Sequence, residues 1–262
     1  MKKLILLITI ITISSNIFSQ NTKEAINEIR QQFKWVNSQK NFKSVSLNNL
    51  DFLEHPTDNG ATLTGFYKNN ILYKVTETIG ISYAIYINEY YLKNNKLIFV
   101  YAIEKQYKQK IDKNGKTTGE LDYTSTDLKY EHRLYYKNEK QIRELKKGTK
   151  ISGNNTKFLS HFASLKKLLD NKYKYQKEYK LLQGTWISKD DTSNSIEIDG
   201  LIKTEYSENE YIDEAKIKIE GKYLFFYTSD GDTYKYEILE LSDKTLKLIY
   251  LARGNTLVYY KK

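Results

Sequence analysis

The chain has 262 residues, a net charge of +10, one proline and no cysteine. Disulfides, thiolate metal sites and cysteine nucleophiles are therefore excluded together. Its 24 tyrosines and 10 phenylalanines supply ample core area, and aromatic and β-branched residues in short runs favour strands over helices.

At the start, Lys2 and Lys3 precede an apolar run from Leu4 to Ile13, which gives way to small and polar residues up to Gln20. That order reads as a signal peptide over residues 1–20, cut after Ser19 or Gln20. The apolar run is shorter than the roughly 20 residues a spanning helix needs, so no transmembrane span is expected in the mature chain. The expected destination is the periplasm or the extracellular space.

Residues 21–156 read as an α+β domain. Ala25, Ile29, Phe33 and Val36 fall at helical spacing over 21–40 and predict one apolar stripe, suited to packing on a sheet. Residues 41–61 read as irregular, with a turn around Pro56. Then a pattern recurs three times: Phe66-Tyr67-Lys68-Asn69-Asn70, Tyr90-Tyr91-Leu92-Lys93-Asn94-Asn95 and Leu134-Tyr135-Tyr136-Lys137-Asn138-Glu139. Asparagine tolerates the left-handed backbone of tight hairpin turns. The expected structure is an antiparallel meander of five or six strands with the first helix across one face. Lys108 to Gly119 is charged and nearly free of apolar residues, and reads as a disordered surface loop.

Residues 157–180 predict a basic connecting helix, with Phe158, Phe162, Leu165, Leu169 and Tyr173 as its stripe and Asn155 or Thr156 as its cap. Residues 21–180 carry 29 Lys and Arg against 17 Asp and Glu, while residues 181–262 carry 11 against 15. The sign of the charge thus changes near residue 180, which marks a domain boundary.

From Gly184 onward the chain alternates in short runs separated by Asp199-Gly200, Glu220-Gly221, Asp230-Gly231 and Gly254-Asn255. Eight antiparallel strands joined by hairpins predict a small up-and-down barrel, because closure removes exposed edges. Residues 181–262 resemble the lipocalin-like domains of secreted bacterial proteins, through Leu182-x-Gly184-x-Trp186 and the closing strand Leu257-Val258-Tyr259-Tyr260. The resemblance implies that Trp186 closes one barrel end under an arginine of the last strand. The only arginine here, Arg253, reads as lying in a turn instead. It also implies a small apolar ligand inside the barrel, with Trp186, Tyr223, Phe225, Tyr227, Tyr234 and Tyr236 as candidate lining residues. The same side chains are equally suited to filling an eight-stranded barrel.

His55, His132 and His161 share no metal-ligand spacing, and no nucleophile elbow or phosphate loop appears. Glu131-His132-Arg133 reads as a strand whose outer two residues face away from the histidine. No catalytic residue, metal or cofactor is assigned, and the chain reads as non-enzymatic. Export argues against nucleic acid, and the basic first domain suits an anionic envelope component better. Three functions remain open: an exported binding protein, a carrier of a small apolar ligand in the barrel, and a hydrolase with an unrecognised carboxylate pair.

Overall fold

The structure, a computed structural model, describes residue 20, residues 22–153 and residues 156–262. Of the signal peptide expected over residues 1–20, residues 1–19 lie outside the described residues, as does Asn155. The chain forms two compact units, the first reaching up to Ser44 and resuming over Leu63–Ser164, the second comprising Val45–Thr62 and Leu165–Lys262.

Helix α1 spans residues 22–38. It is followed by β1 (Lys43–Asn48), a short 3-10 turn (Asn49–Asp51), β2 (Ala61–Lys68), β3 (Ile71–Ile81), β4 (Ala84–Lys93), β5 (Lys96–Ile111), β6 (Thr117–Lys137) and β7 (Lys140–Gly148). These strands form one antiparallel meander in sequence order, seven strands wide. The turns joining β2–β3, β4–β5 and β6–β7 place Asn69/Asn70, Asn94/Asn95 and Asn138/Glu139 at φ between 49° and 64°. Two successive residues of positive φ make the tight turn whose twist matches that of the strands.

The first unit is covered on two faces. On one, Ile26, Ile29 and Val36 of α1 bury against Tyr91, Phe99 and Tyr135. On the other, Phe158 and Phe162, at the start of helix α2 (Phe158–Lys174), meet the ring of Tyr90 at 6.4 and 5.3 Å. The predicted helix on a meander is therefore present, with a second helix on the opposite face.

Three local expectations need correction. Residues 43–48 are not irregular but form β1. Its alternating pattern, with only Val45 and Leu47 buried, gives too short a run to stand out. Lys108 to Gly119 is not a disordered loop. It is the end of the longest hairpin, turned by Asp112, whose Oδ1 accepts the amides of Asn114 and Lys116, both at 2.8 Å. The connecting helix is broken at Tyr175 (φ −109°, ψ 28°), and a second helix, α3 (Gln176–Leu182), follows.

The remaining strands are β8 (Gly184–Ser188), β9 (Asn194–Asp199), β10 (Ile202–Ser207), β11 (Glu210–Glu220), β12 (Tyr223–Thr228), β13 (Thr233–Leu241), β14 (Thr245–Tyr250) and β15 (Thr256–Lys261). They close into an antiparallel barrel, with β15 returning to pair with β8. Every strand thus has two neighbours and no edge is left. Trp186, Ile198, Ile219, Leu224 and Leu246 are all at most 1% exposed and mark the core.

Candidate ligand site in the barrel

The two ends of the barrel differ. At one end Trp186 is fully buried and its Nε1 donates to the carbonyl of Leu182 at 2.7 Å. Lys261, on the last strand, places Nζ 4.9 Å from the indole centre and donates to the carbonyl of Leu181 at 3.0 Å. A lysine therefore lies over the tryptophan where the resemblance implied an arginine, and Arg253 lies in the β14–β15 turn. Gly184 adopts φ +103°, and a Cβ there would lie 3.3 Å from Lys261 Cε, so glycine lets the lysine stem pass close. Further hydrogen bonds finish this end. Gln183 Oε1 accepts the Gly200 amide at 2.7 Å, Asp51 Oδ1 accepts the Leu201 amide at 2.6 Å, and the Tyr179 hydroxyl accepts the Ile219 amide at 3.0 Å.

Toward the other end the interior becomes polar and aromatic. Lys203 pairs in register with Ile198 and Ala215, which are 1% and 3% exposed, so its side chain points into the barrel with theirs. Lys203 is itself only 5% exposed, and its Nζ lies 5.4 Å from the Phe226 ring. It forms an ion pair with Glu205, two residues along on the same face, whose side chain is half exposed. Around this pair stand Tyr234, Tyr236, Tyr250 and Tyr259. Tyr236 contacts the rings of Phe226 and Tyr250 at 4.9 and 5.1 Å, and Tyr234 lies 6.1 Å from Tyr250. Tyr259 pairs with the buried Leu246 and so faces inward.

Burial pushes the Tyr236 phenol well above its ordinary range. It pushes Tyr259 up to about 12, with the Glu205 charge adding to the rise. The charge of Asp232 raises Tyr234. These phenols stay protonated at neutral pH, so they offer hydroxyls and flat apolar faces together. Residues 184–261 contain no histidine, so the barrel lacks the one side chain that ordinarily titrates near neutrality. The arrangement can offer hydrogen bonds to a polar group.

Of the six candidate residues, the structure turns Tyr234, Tyr236 and Trp186 toward the interior. Tyr223, Phe225 and Tyr227 are on the outer face, which corrects the expectation of an interior position. They pair with Glu237, Lys235 and Thr233, while their neighbours Leu224 and Phe226 point inward. Outside, the Phe225 and Tyr227 rings stack at 6.2 Å, and Lys235 Nζ lies 3.9 Å from the Tyr223 ring centre. The run Tyr223-Leu224-Phe225-Phe226-Tyr227 is apolar at every position, so hydrophobicity alone does not say which alternate set is inside. Lys203, Glu205, Phe226, Tyr250 and Tyr259 were not foreseen. In Ile202-Lys203-Thr204-Glu205-Tyr206 the ordinary pattern selects the wrong face, and only the register with Ile198 reveals the right one.

His132 and His161 lie in the first unit. His132 Nε2 lies 2.6 Å from Glu144 Oε1, and burial lowers its pKa. Glu131 and Arg133 face the other side of the sheet, where Glu131 accepts the Tyr101 hydroxyl at 2.6 Å. His161 Nε2 lies 2.9 and 3.1 Å from the two oxygens of Glu77, a carboxylate only 1% exposed, and that hydrogen bond raises its pKa. Among the described residues no cluster of three or more His, Asp or Glu is suited to a metal, and no helix is long and apolar enough to cross a membrane. Comparison with family models, with curated proteins and with solved structures yields no match.

Proposed function

We propose that this is an exported, non-catalytic binding protein whose C-terminal barrel is lipocalin-like and takes up a small ligand through its tyrosine-lined end. The ligand class is a compact apolar or aromatic body carrying one polar group. The observation that carries the reading is the Lys203–Glu205 pair inside the barrel beneath Tyr234, Tyr236, Tyr250 and Tyr259. An ion pair in such a place costs desolvation, and well-packed apolar residues of similar volume often give equal or greater stability. Its presence among these tyrosines fits a site that exchanges partners with a ligand. Export is supported by the order of residues 1–20.

The test is a titration of the full chain with a panel of small aromatic acids and alcohols, followed by tyrosine fluorescence and by NMR. A ligand of this site shifts Tyr234, Tyr236, Tyr250 and Tyr259, and its affinity falls at least about tenfold in Lys203→Met. Lys203→Met is expected to remain folded, because the Glu205 carboxylate it leaves without a partner is 47% exposed and keeps its hydration. A panel that leaves all four tyrosines unmoved, or affinity unchanged in Lys203→Met, sinks the proposal.

A further inference from the structure

The first unit carries a separate cavity. A cleft of about 450 Å³ opens where α1 lies along β5, β6 and β7. Its floor is apolar: Phe99 and Tyr135, 6% and 5% exposed, with their rings 4.9 Å apart. Phe33 of α1 closes one side, its ring 5.5 Å from that of Phe99, and Leu145 of β7 lines another. A volume of this size lies within the range of small-molecule sites, which are mostly apolar with a few placed polar groups.

The rim is cationic. Arg30 and Lys34 are four residues apart on α1 and so lie on the same flank. Among the described residues neither has an ion-pair partner. Arg133 stands across the cleft on β6. Its guanidinium lies 5.4 Å from the Tyr101 ring centre, and Nη2 donates to Glu131 Oε2 at 3.2 Å, which fixes the side chain in place. β7 adds Arg143 and Lys147 on the same face, opposite Tyr135 and Glu131. The one carboxylate among these groups, Glu131, already binds Tyr101 and Arg133 and is held below its usual range, first by the Tyr101 hydrogen bond. An apolar trough bordered by spare positive charge is complementary to one kind of small molecule.

We infer that this cleft binds a single-chain amphipathic anion, an alkyl carboxylate. Its chain lies over Phe33, Phe99 and Tyr135, and its head group meets Arg30, Lys34 and Arg133. A guanidinium matches a carboxylate through two parallel hydrogen bonds, and the exposed helix cations add attraction that salt screens.

The probe is dodecanoate, titrated calorimetrically into the full chain below its micellar range, with dodecyltrimethylammonium as the control of opposite charge. The expected result is saturable one-to-one binding of dodecanoate, no comparable binding of the cation, and weakening on added salt. The exposed pair change Arg30→Glu with Lys34→Glu leaves the circular dichroism spectrum unchanged and reduces dodecanoate affinity at least about tenfold. Three results overturn the inference: equal binding of both probes, weakening by Lys203→Met instead of by the helix changes, or retention on phosphatidylglycerol vesicles without any binding of free dodecanoate.

Discussion

The two units solve the same problem in opposite ways. Each is an antiparallel meander whose strands follow sequence order, and each must bury a face and protect its edges. The barrel closes on itself, so it has no edge, and its buried side chains meet across an interior. The sheet stays open. It borrows helices for its two faces and ends in β7, an edge strand that carries Lys140, Arg143, Lys146 and Lys147. Charged residues on an edge discourage pairing with another chain. Part of the basic excess of the first unit is therefore edge protection. The difference also places the sheet's cleft, which opens where α1 lies along β5–β7.

This contrast is open to direct tests, because each unit holds one tryptophan: the exposed Trp35 in the sheet and the buried Trp186 in the barrel. The largest effect expected is from Leu224→Ala, which empties a fully buried position in the barrel. It should cost about 2–5 kcal/mol, seen as an earlier denaturant midpoint in Trp186 emission while Trp35 emission changes little. A single shared transition moving by the same amount would instead show that the units unfold together.

Next comes Asn95→Ala in the β4–β5 turn, where φ is +64°. Alanine lacks the short polar side chain with which asparagine tolerates the left-handed region, so the change should cost about 1 kcal/mol in the sheet transition, and Asn95→Gly should restore it. Loss of stability in both variants would show that the asparagine side chain, not the backbone, matters there.

Lys261→Met removes the cation over Trp186 but keeps an apolar stem. The barrel transition should fall by about 0.5–1 kcal/mol, with Trp186 emission still blue-shifted. A red shift would mean that Lys261 is the seal of that end rather than a partner of the ring.

The smallest effect is a difference in pH dependence. His161 is raised above its ordinary value by Glu77, so its contribution is full below about 6.5 and is lost as pH rises through the higher folded value. His132 is lowered by burial, so the unfolded chain binds more protons just below about 6.5 and stability there rises with pH. The sheet transition should therefore peak near the ordinary histidine pKa, and His161→Gln should remove the fall on the alkaline side. A sheet profile flat between pH 5 and pH 8, on the order of the histidine titration range, would refute this.

Much of the architecture was readable because it rests on local chemistry. Tight turns demand positive φ, and the Lys-Asn-polar runs marked the three long hairpins before any contact was known. The glycine turns likewise marked four of the seven connections between the eight strands that form the barrel. What escaped depended on partners far away in sequence. Strand β1 lies beside β2, beyond an intervening turn and loop, and its six residues carry too little pattern to announce themselves. The charged stretch around Asp112 lacks apolar residues, yet two amide hydrogen bonds to one carboxylate suffice to turn it.

The sequence by itself determined that residues 62–145 and 184–261 would be hairpin-built antiparallel structures, and that Trp186 would belong to the barrel's first strand. Turn residues and two-residue periodicity act over a few positions, so a single chain displays them. Only the tertiary structure decided which side of each strand faces inward. Lys203 and Glu205 entered the barrel, Tyr223, Phe225 and Tyr227 were left outside, and Lys261 rather than Arg253 came to lie over Trp186. A one-residue change of register would exchange all of these, and register is set jointly by eight strands closing on one another.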